Sequence, residues 1–205
     1  MQEALTCLVH ELCDGSQALF EWDGEGRLRL SRHSIGQGDH LDYFIMVGKL
    51  IGMALGSDLQ LPASFSTPLL KTLLGQTLLV EDLKIQDATV YINVVQRLRD
   101  MAEEDLTSLE LNFTYEDECL GEVGRVELRP GGGSQKLVET RGDLDDYLEL
   151  LAQYLMFGRA ERQIQAVRDG LHILVPEALL KAAGLVFAAE EFGELIRGSS
   201  QADDR

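Results

Sequence analysis

Between Asp39 and Leu55 the apolar residues fall three and four apart, with Tyr43, Val47, Leu50, Ile51 and Ala54 on one broad face. That spacing predicts a helix with one buried side, and Asp39 stands where an N-cap belongs. Gly48, Gly52 and Gly56 sit four apart along it. Glycine weakens an isolated helix by about 1 kcal/mol, so a repeated small stripe predicts that another backbone packs closely there. The same periodicity predicts a helix over 68–74 closed by Gly75. Another runs over 87–101, capped by Asp87, with Val90, Val94, Val95 and Leu98 inward. Later helices are expected over 143–157, 160–174, 176–183 and 188–196, and a short amphipathic one at 1–13.

In two places the period drops to two. Leu19–Trp22, the turn Asp23-Gly24-Glu25-Gly26 and Leu28–Leu30 read as a hairpin, followed by a polar loop over 33–38. Leu109, Leu111 and Phe113 alternate with Glu110, Asn112 and Thr114, which predicts a half-buried strand. Glu116–Cys119 reads as a polar turn, Arg125–Arg129 as a second strand, the run Pro130–Ser134 as a turn, and Lys136–Val138 as a short return strand. The glycine run lacks the Lys-Ser/Thr ending of a phosphate loop, and no helix opens from it. The expected fold class is α+β, mainly helical with a small inserted antiparallel hairpin.

Composition adds boundaries to this picture. Hydrophobic residues make up 45% and charged residues 26% of 205, an ordinary globular balance. No apolar run approaches the roughly 18 residues of a membrane helix, and Glu3, His10 and Glu11 break any signal-peptide pattern. A soluble cytoplasmic protein is expected, with no membrane partner. The net charge of −17 argues against nucleic acid, whose phosphates are held by clustered Lys and Arg. Three scattered cysteines, Cys7, Cys13 and Cys119, make no disulfide framework and fit a reducing compartment.

Little in the residues points to chemistry. A cysteine nucleophile needs a nearby base; His10 and Cys13 lie three apart but nothing else completes a site. Cys119 falls among Glu116, Asp117 and Glu118, which would disfavour its thiolate. The four histidines never pair at a metal-ligand spacing, and no metal or cofactor is expected. Acidic clusters at 103–105, 116–118 and 143–146 read as solvated turns and helix starts rather than acid–base pairs.

The order of motifs resembles a known family. Asp39-His40-Leu41, Tyr43-Phe44, Gly48-Lys49 and Gly52-Met53-Ala54 resemble the HECT-domain signature, and further segments follow in register. These are Leu61-Pro62 with Phe65, Leu69-Leu70-Lys71, Val80–Leu83 with Asp87 and Tyr91, and Leu109–Phe113. Gly121-Glu122, Val126–Gly132, Tyr147–Tyr154, Gln163, Ala166–Leu171, Val175-Pro176 and Glu194–Gly198 continue the series. Residues 19–198 are thereby similar to the larger subdomain of the amino-terminal lobe of HECT-type ubiquitin ligases, with an extension over 1–18 and a polar tail over 199–205. Arg197 and Leu171 replace a cysteine and an aromatic usual in that family.

The resemblance implies ubiquitin and a ubiquitin-conjugating enzyme as partners of the intact family domain. It also implies a carboxy-terminal lobe whose Thr-Cys pair carries ubiquitin as a thioester on its way to a substrate lysine. These 205 residues hold no such pair in that position; Thr6-Cys7 lies before the motif order begins. The chain by itself is therefore expected to have no catalytic residue and to act as scaffold, or else as a non-catalytic ubiquitin- or protein-binding module. Tyr91, which matches a family tyrosine near a weak ubiquitin-binding surface, is the candidate contact. The last helix is expected to expose Leu195 and Ile196.

Overall fold

The computed structural model describes residues 7–9, 11–12, 18–57 and 60–198. The fold is α+β and mainly helical, with two small antiparallel sheets of two strands each. The reading of 1–13 as a helix falls partly outside the described residues, as do His10 and Cys13. Two compact units divide the chain, one drawn from Met1–Thr77 with Ala160–Arg205, the other from Leu78–Arg159.

The first unit opens with β1 (Phe20–Trp22) and β2 (Leu28–Leu30), the expected hairpin, paired antiparallel with Phe20 opposite Leu30 and Trp22 opposite Leu28. Asp23 holds the turn: its Oδ1 accepts from the amides of Glu25 and Arg27, and Gly26 supplies the positive φ of 72°. Ser64–Ser66 lies along the other edge of β2, donating from Ser66 and accepting from Leu28. Helix α1 (His40–Gly56) follows a short 3-10 turn at Arg32–Gly36, where a loop was expected. Its buried face contains Phe44, Val47, Leu50, Ile51 and Ala54, while Tyr43 is exposed. The face is rotated by one residue at its start because Phe44 meets Phe20 edge-on, ring centroids 5.8 Å apart.

Helix α2 (Thr67–Leu74) ends at Gly75 in the left-handed conformation the sequence called for, φ 69°. Towards the end of the chain, α7 (Glu161–His172) packs along α1. A Cβ built on Gly48 would stand 2.0 Å from the Val167 carbonyl oxygen, and one on Gly170 would stand 1.9 Å from that of Ile45. The glycine stripe thus does mark a backbone-to-backbone approach at Gly48. At Gly52 the neighbour is the Leu174 side chain, and at Gly56 there is open space. Helices α8 (Glu177–Val186) and α9 (Ala189–Arg197) complete the unit, α8 running one turn longer than its pattern suggested.

The second unit is built around Phe113, Leu106, Leu144, Tyr147, Leu148 and Leu151. A single turn, α3 (Leu83–Gln86), leads to α4, a helical run over 88–100 capped by Asp87, whose Oδ1 accepts from Val90. The middle of α4, Tyr91–Gln96, is wound as a π-helix. Tyr91 and Val95 are buried there, while Val90, Val94 and Leu98 pack only partly against the core.

Helix α5 (Glu103–Ser108) begins on its acidic cluster, as expected of a positive helix end. The strands then depart from their sequence reading. β3 is Thr114–Cys119 and β4 is Glu122–Glu127, joined by a two-residue turn at Leu120-Gly121, both with positive φ. Leu109–Phe113 is not a strand, and the acidic run 116–118 read as a turn is the strand itself. Lys136–Val138 returns only as an isolated bridge, Asn112 to Leu137. Helix α6 (Arg141–Met156) closes the unit, opened by a capping box between Thr140 and Asp143.

Candidate functional site

The hairpin β3–β4 sets an exposed apolar tip on a base held by side-chain hydrogen bonds. Leu120 and Val123 at the tip are 59% and 70% exposed. The base is held by Asp117, which alternation along β3 turns toward the last turns of α6 and the 3-10 turn Gly158–Ala160 that follows. There Arg159 grips it with two contacts, Nε at 3.1 Å and Nη2 at 2.6 Å, and the Tyr154 hydroxyl donates to it at 2.8 Å. Tyr115 and Tyr154 flank the guanidinium, ring centroids 5.4 and 5.8 Å from its carbon. A carboxylate that accepts three bonds from an arginine and a phenol is a fixed point, so the strand cannot slip by one residue without losing it. Burial, then the bond to Asp117, pushes the Tyr154 hydroxyl up to about 12. Tyr147, shielded chiefly by burial, reaches about 12 as well.

Sequence reasoning missed this cluster. Its one signal was the two-residue step between Tyr115 and Asp117, which puts both on the same face of a strand, obscured by the acidic run around them.

Tyr91 lies in the π segment with 8% of its surface open, inside the core of the second unit. Its neighbour Ile92 is exposed. The pair selected from the sequence, His10 and Cys13, lies outside the described residues. Cys7 is exposed; Cys119 is half-buried at the end of β3, paired in register with Glu122. His40 is buried with Nδ1 2.7 Å from the Gln37 carbonyl oxygen, a structural contact. Among the described residues no three His, Cys, Asp or Glu side chains converge in a way that would hold a metal ion, and no helix is long and apolar enough to cross a membrane. In α9, Leu195 is exposed as expected, but Ile196 is fully buried, because it falls on the inward face with Ala189 and Phe192.

The acidic groups serve helix starts and pairs. Asp143 accepts from Lys136 and Thr140, and these bonds, Lys136 foremost, hold its carboxyl at about 2.

The chain was compared with known proteins. The family model described as the HECT-domain (ubiquitin-transferase) matches residues 6–204. The E3 ubiquitin-protein ligase pub1 of Schizosaccharomyces pombe is 30% identical over 98% of this chain and 25% of its own length. RSP5 of Saccharomyces cerevisiae is likewise 30% identical over 98% of the chain, covering 24% of itself. Mouse NEDD4 is 30% identical over 80% of the chain and 18% of itself. The chain thus spans about a quarter of the length of the fungal relatives it matches.

Proposed function

The chain belongs to the HECT-domain (ubiquitin-transferase) family, and from that premise we propose that it is a scaffold part of a HECT-type ubiquitin ligase. In this reading it helps bring ubiquitin and a conjugating enzyme to the site of transfer, and carries no thioester itself. The observation that supports it is the match to pub1 across 98% of the chain in a single ordered alignment. Acyl transfer needs an activated thiolate; of the described cysteines, Cys7 is exposed and Cys119 is half-buried opposite the acidic Glu122. Incubation with activated ubiquitin and a conjugating enzyme, read on a non-reducing gel, is expected to give no ubiquitin adduct on this chain. A band lost on reduction would overturn the scaffold reading.

A second reading is a non-catalytic ubiquitin- or protein-binding module, favoured by the exposed pair Leu120 and Val123 on an anchored hairpin. In this reading Tyr91, buried in α4, supports its exposed neighbour Ile92 rather than meeting ubiquitin itself. Titration of the isotope-labelled chain with ubiquitin is expected to shift resonances at residues 85–98 and 119–124. Val123→Asp and Ile92→Asp should each abolish the shifts without unfolding the chain. Unchanged spectra with saturating ubiquitin would remove this reading.

A further inference from the structure

Helix α8 is apolar on both of its sides. Leu180 is buried, and Gly184 sits so close to α2 that a Cβ would be 2.4 Å from the Leu74 carbonyl oxygen. On the opposite side Ala178, Leu179, Ala182, Leu185 and Val186 are all exposed, with Leu185 at 89%, Val186 at 74% and Leu179 at 60%. Their spacing of three, four and seven gathers them in one stripe. A contiguous exposed apolar stripe on an ordered helix signals a contact surface rather than chance exposure.

A cleft of about 410 Å³ borders this stripe, lined by Gln165, Arg168 and His172 of α7 and by Glu177 and Lys181 of α8. Lys181 joins the two features, since it lines the cleft and lies one helical step from Leu185. Arg168 donates to the Thr72 carbonyl at the end of α2, which fixes the guanidinium in place. Lys181 meets Glu177 at 2.7 Å. Two permanent cations and an imidazole therefore surround one carboxylate, an inversion of charge in a chain that is −17 overall. The Glu177 carboxyl registers that field: Lys181 holds it below the usual range, with His172 and Arg168 adding at longer reach.

We propose that the stripe and the cleft form one docking surface for an acidic amphipathic peptide helix. Its apolar residues cover Leu179, Leu185 and Val186, and one of its carboxylates enters the cleft to pair with Arg168 and Lys181. Charge complementarity selects this occupant over a basic helix, which would bring further cations against Arg168 and Lys181. A second copy is the weaker occupant, because ten helical residues span only about 15 Å, too short a stripe by itself to supply the roughly 800 Å² per partner that a stable interface buries.

The test uses the full chain and fluorescent helix-forming peptides of about four turns, with leucines three and four apart and Glu, Gln or Lys on the flanks. The Glu peptide is expected to bind with an affinity about tenfold above the Gln peptide, one charge-assisted contact's worth, and above the Lys peptide by more. Leu185→Asp and Lys181→Glu should each weaken binding by about tenfold or more while the unfolding midpoint stays put. Equal affinity for all three peptides, or no binding by any, would overturn the proposal. So would a dimer in sedimentation that Leu185→Asp dissolves, which would assign the stripe to a second copy.

Discussion

In the first unit, α1 and α7 meet backbone against backbone, with glycines at Gly48 and Gly170 where any side chain would strike a carbonyl oxygen. In the second unit, the elements meet through large side chains, Phe113 edge-on to Tyr147 at 5.9 Å and Arg159 between Tyr115 and Tyr154. Charge follows the same division. Residues 78–159 hold 18 acidic and 8 basic residues, a net −10, against 17 acidic and 10 basic in the other 123 residues, a net −7. The density of negative charge is therefore roughly double in the second unit. The comparison teaches that one chain can combine an interface with almost no tolerance for added atoms and one held by large, removable side chains. The first should fail when atoms are added and the second when they are taken away.

The largest expected effect is removal of the second unit's central ring. Phe113 is fully buried and carries Arg129 over its face at 4.3 Å. Phe113→Ala should cost about 3–5 kcal/mol by cavity formation, visible as a lower urea midpoint and loss of exchange protection in residues 78–159. In the first unit the matching change is an addition. Gly48→Ala or Gly170→Ala should cost about 3 kcal/mol through backbone displacement, with protection lost first in α1 and α7. If either glycine accepted alanine without loss, the contrast between the units would fall.

Asp117→Asn or Arg159→Ala should cost about 2–3 kcal/mol, since each breaks a partly buried ion pair. The side chains are 11% and 18% exposed, which keeps the effect below that of a fully buried pair. Hydrogen exchange in 114–127 would report it. Helix caps come next: Thr140→Ala or Asp87→Ala should cost about 1 kcal/mol each, measurable by chemical denaturation. The smallest effect is a pH dependence. Asp143 is depressed from 3.8 to about 2, so its contribution is fully present above pH 3.8 and is lost as pH falls through 2. Lys136→Met should flatten that acid-limb slope and lower stability at neutral pH by the same contribution, while stability below pH 2 stays nearly unchanged.

Periodicity located most helices because one-sided burial leaves a repeat of 3.6 that neighbours do not erase. It gave α1, α2, α6, α7 and α9 within a few residues, and Asp87, Gly75 and the glycine of the closest helix contact by position. The order of motifs gave the family. The middle hairpin was misplaced because the alternation that marks a strand was read on Leu109–Phe113, where the chain only approaches the core. The true strand, Thr114–Cys119, carries acidic residues whose local preference is for turns, and Arg159, forty-two residues later, overrides it.

What the chain determined by itself were the amphipathic repeats, the caps, the turn residues and the balance of charge, all set by atoms within a few positions of one another. Tertiary structure alone decided that Phe44 and not Tyr43 faces inward, that Ile196 is buried beside exposed Leu195, and that Asp117 is a partner rather than a turn. It also left the outer side of α8 uncovered, though its sequence is apolar enough to be core. The physical reason is the same in each case. Local pattern fixes which residues prefer to leave water, but which of them find a neighbour depends on surfaces brought from distant parts of the chain.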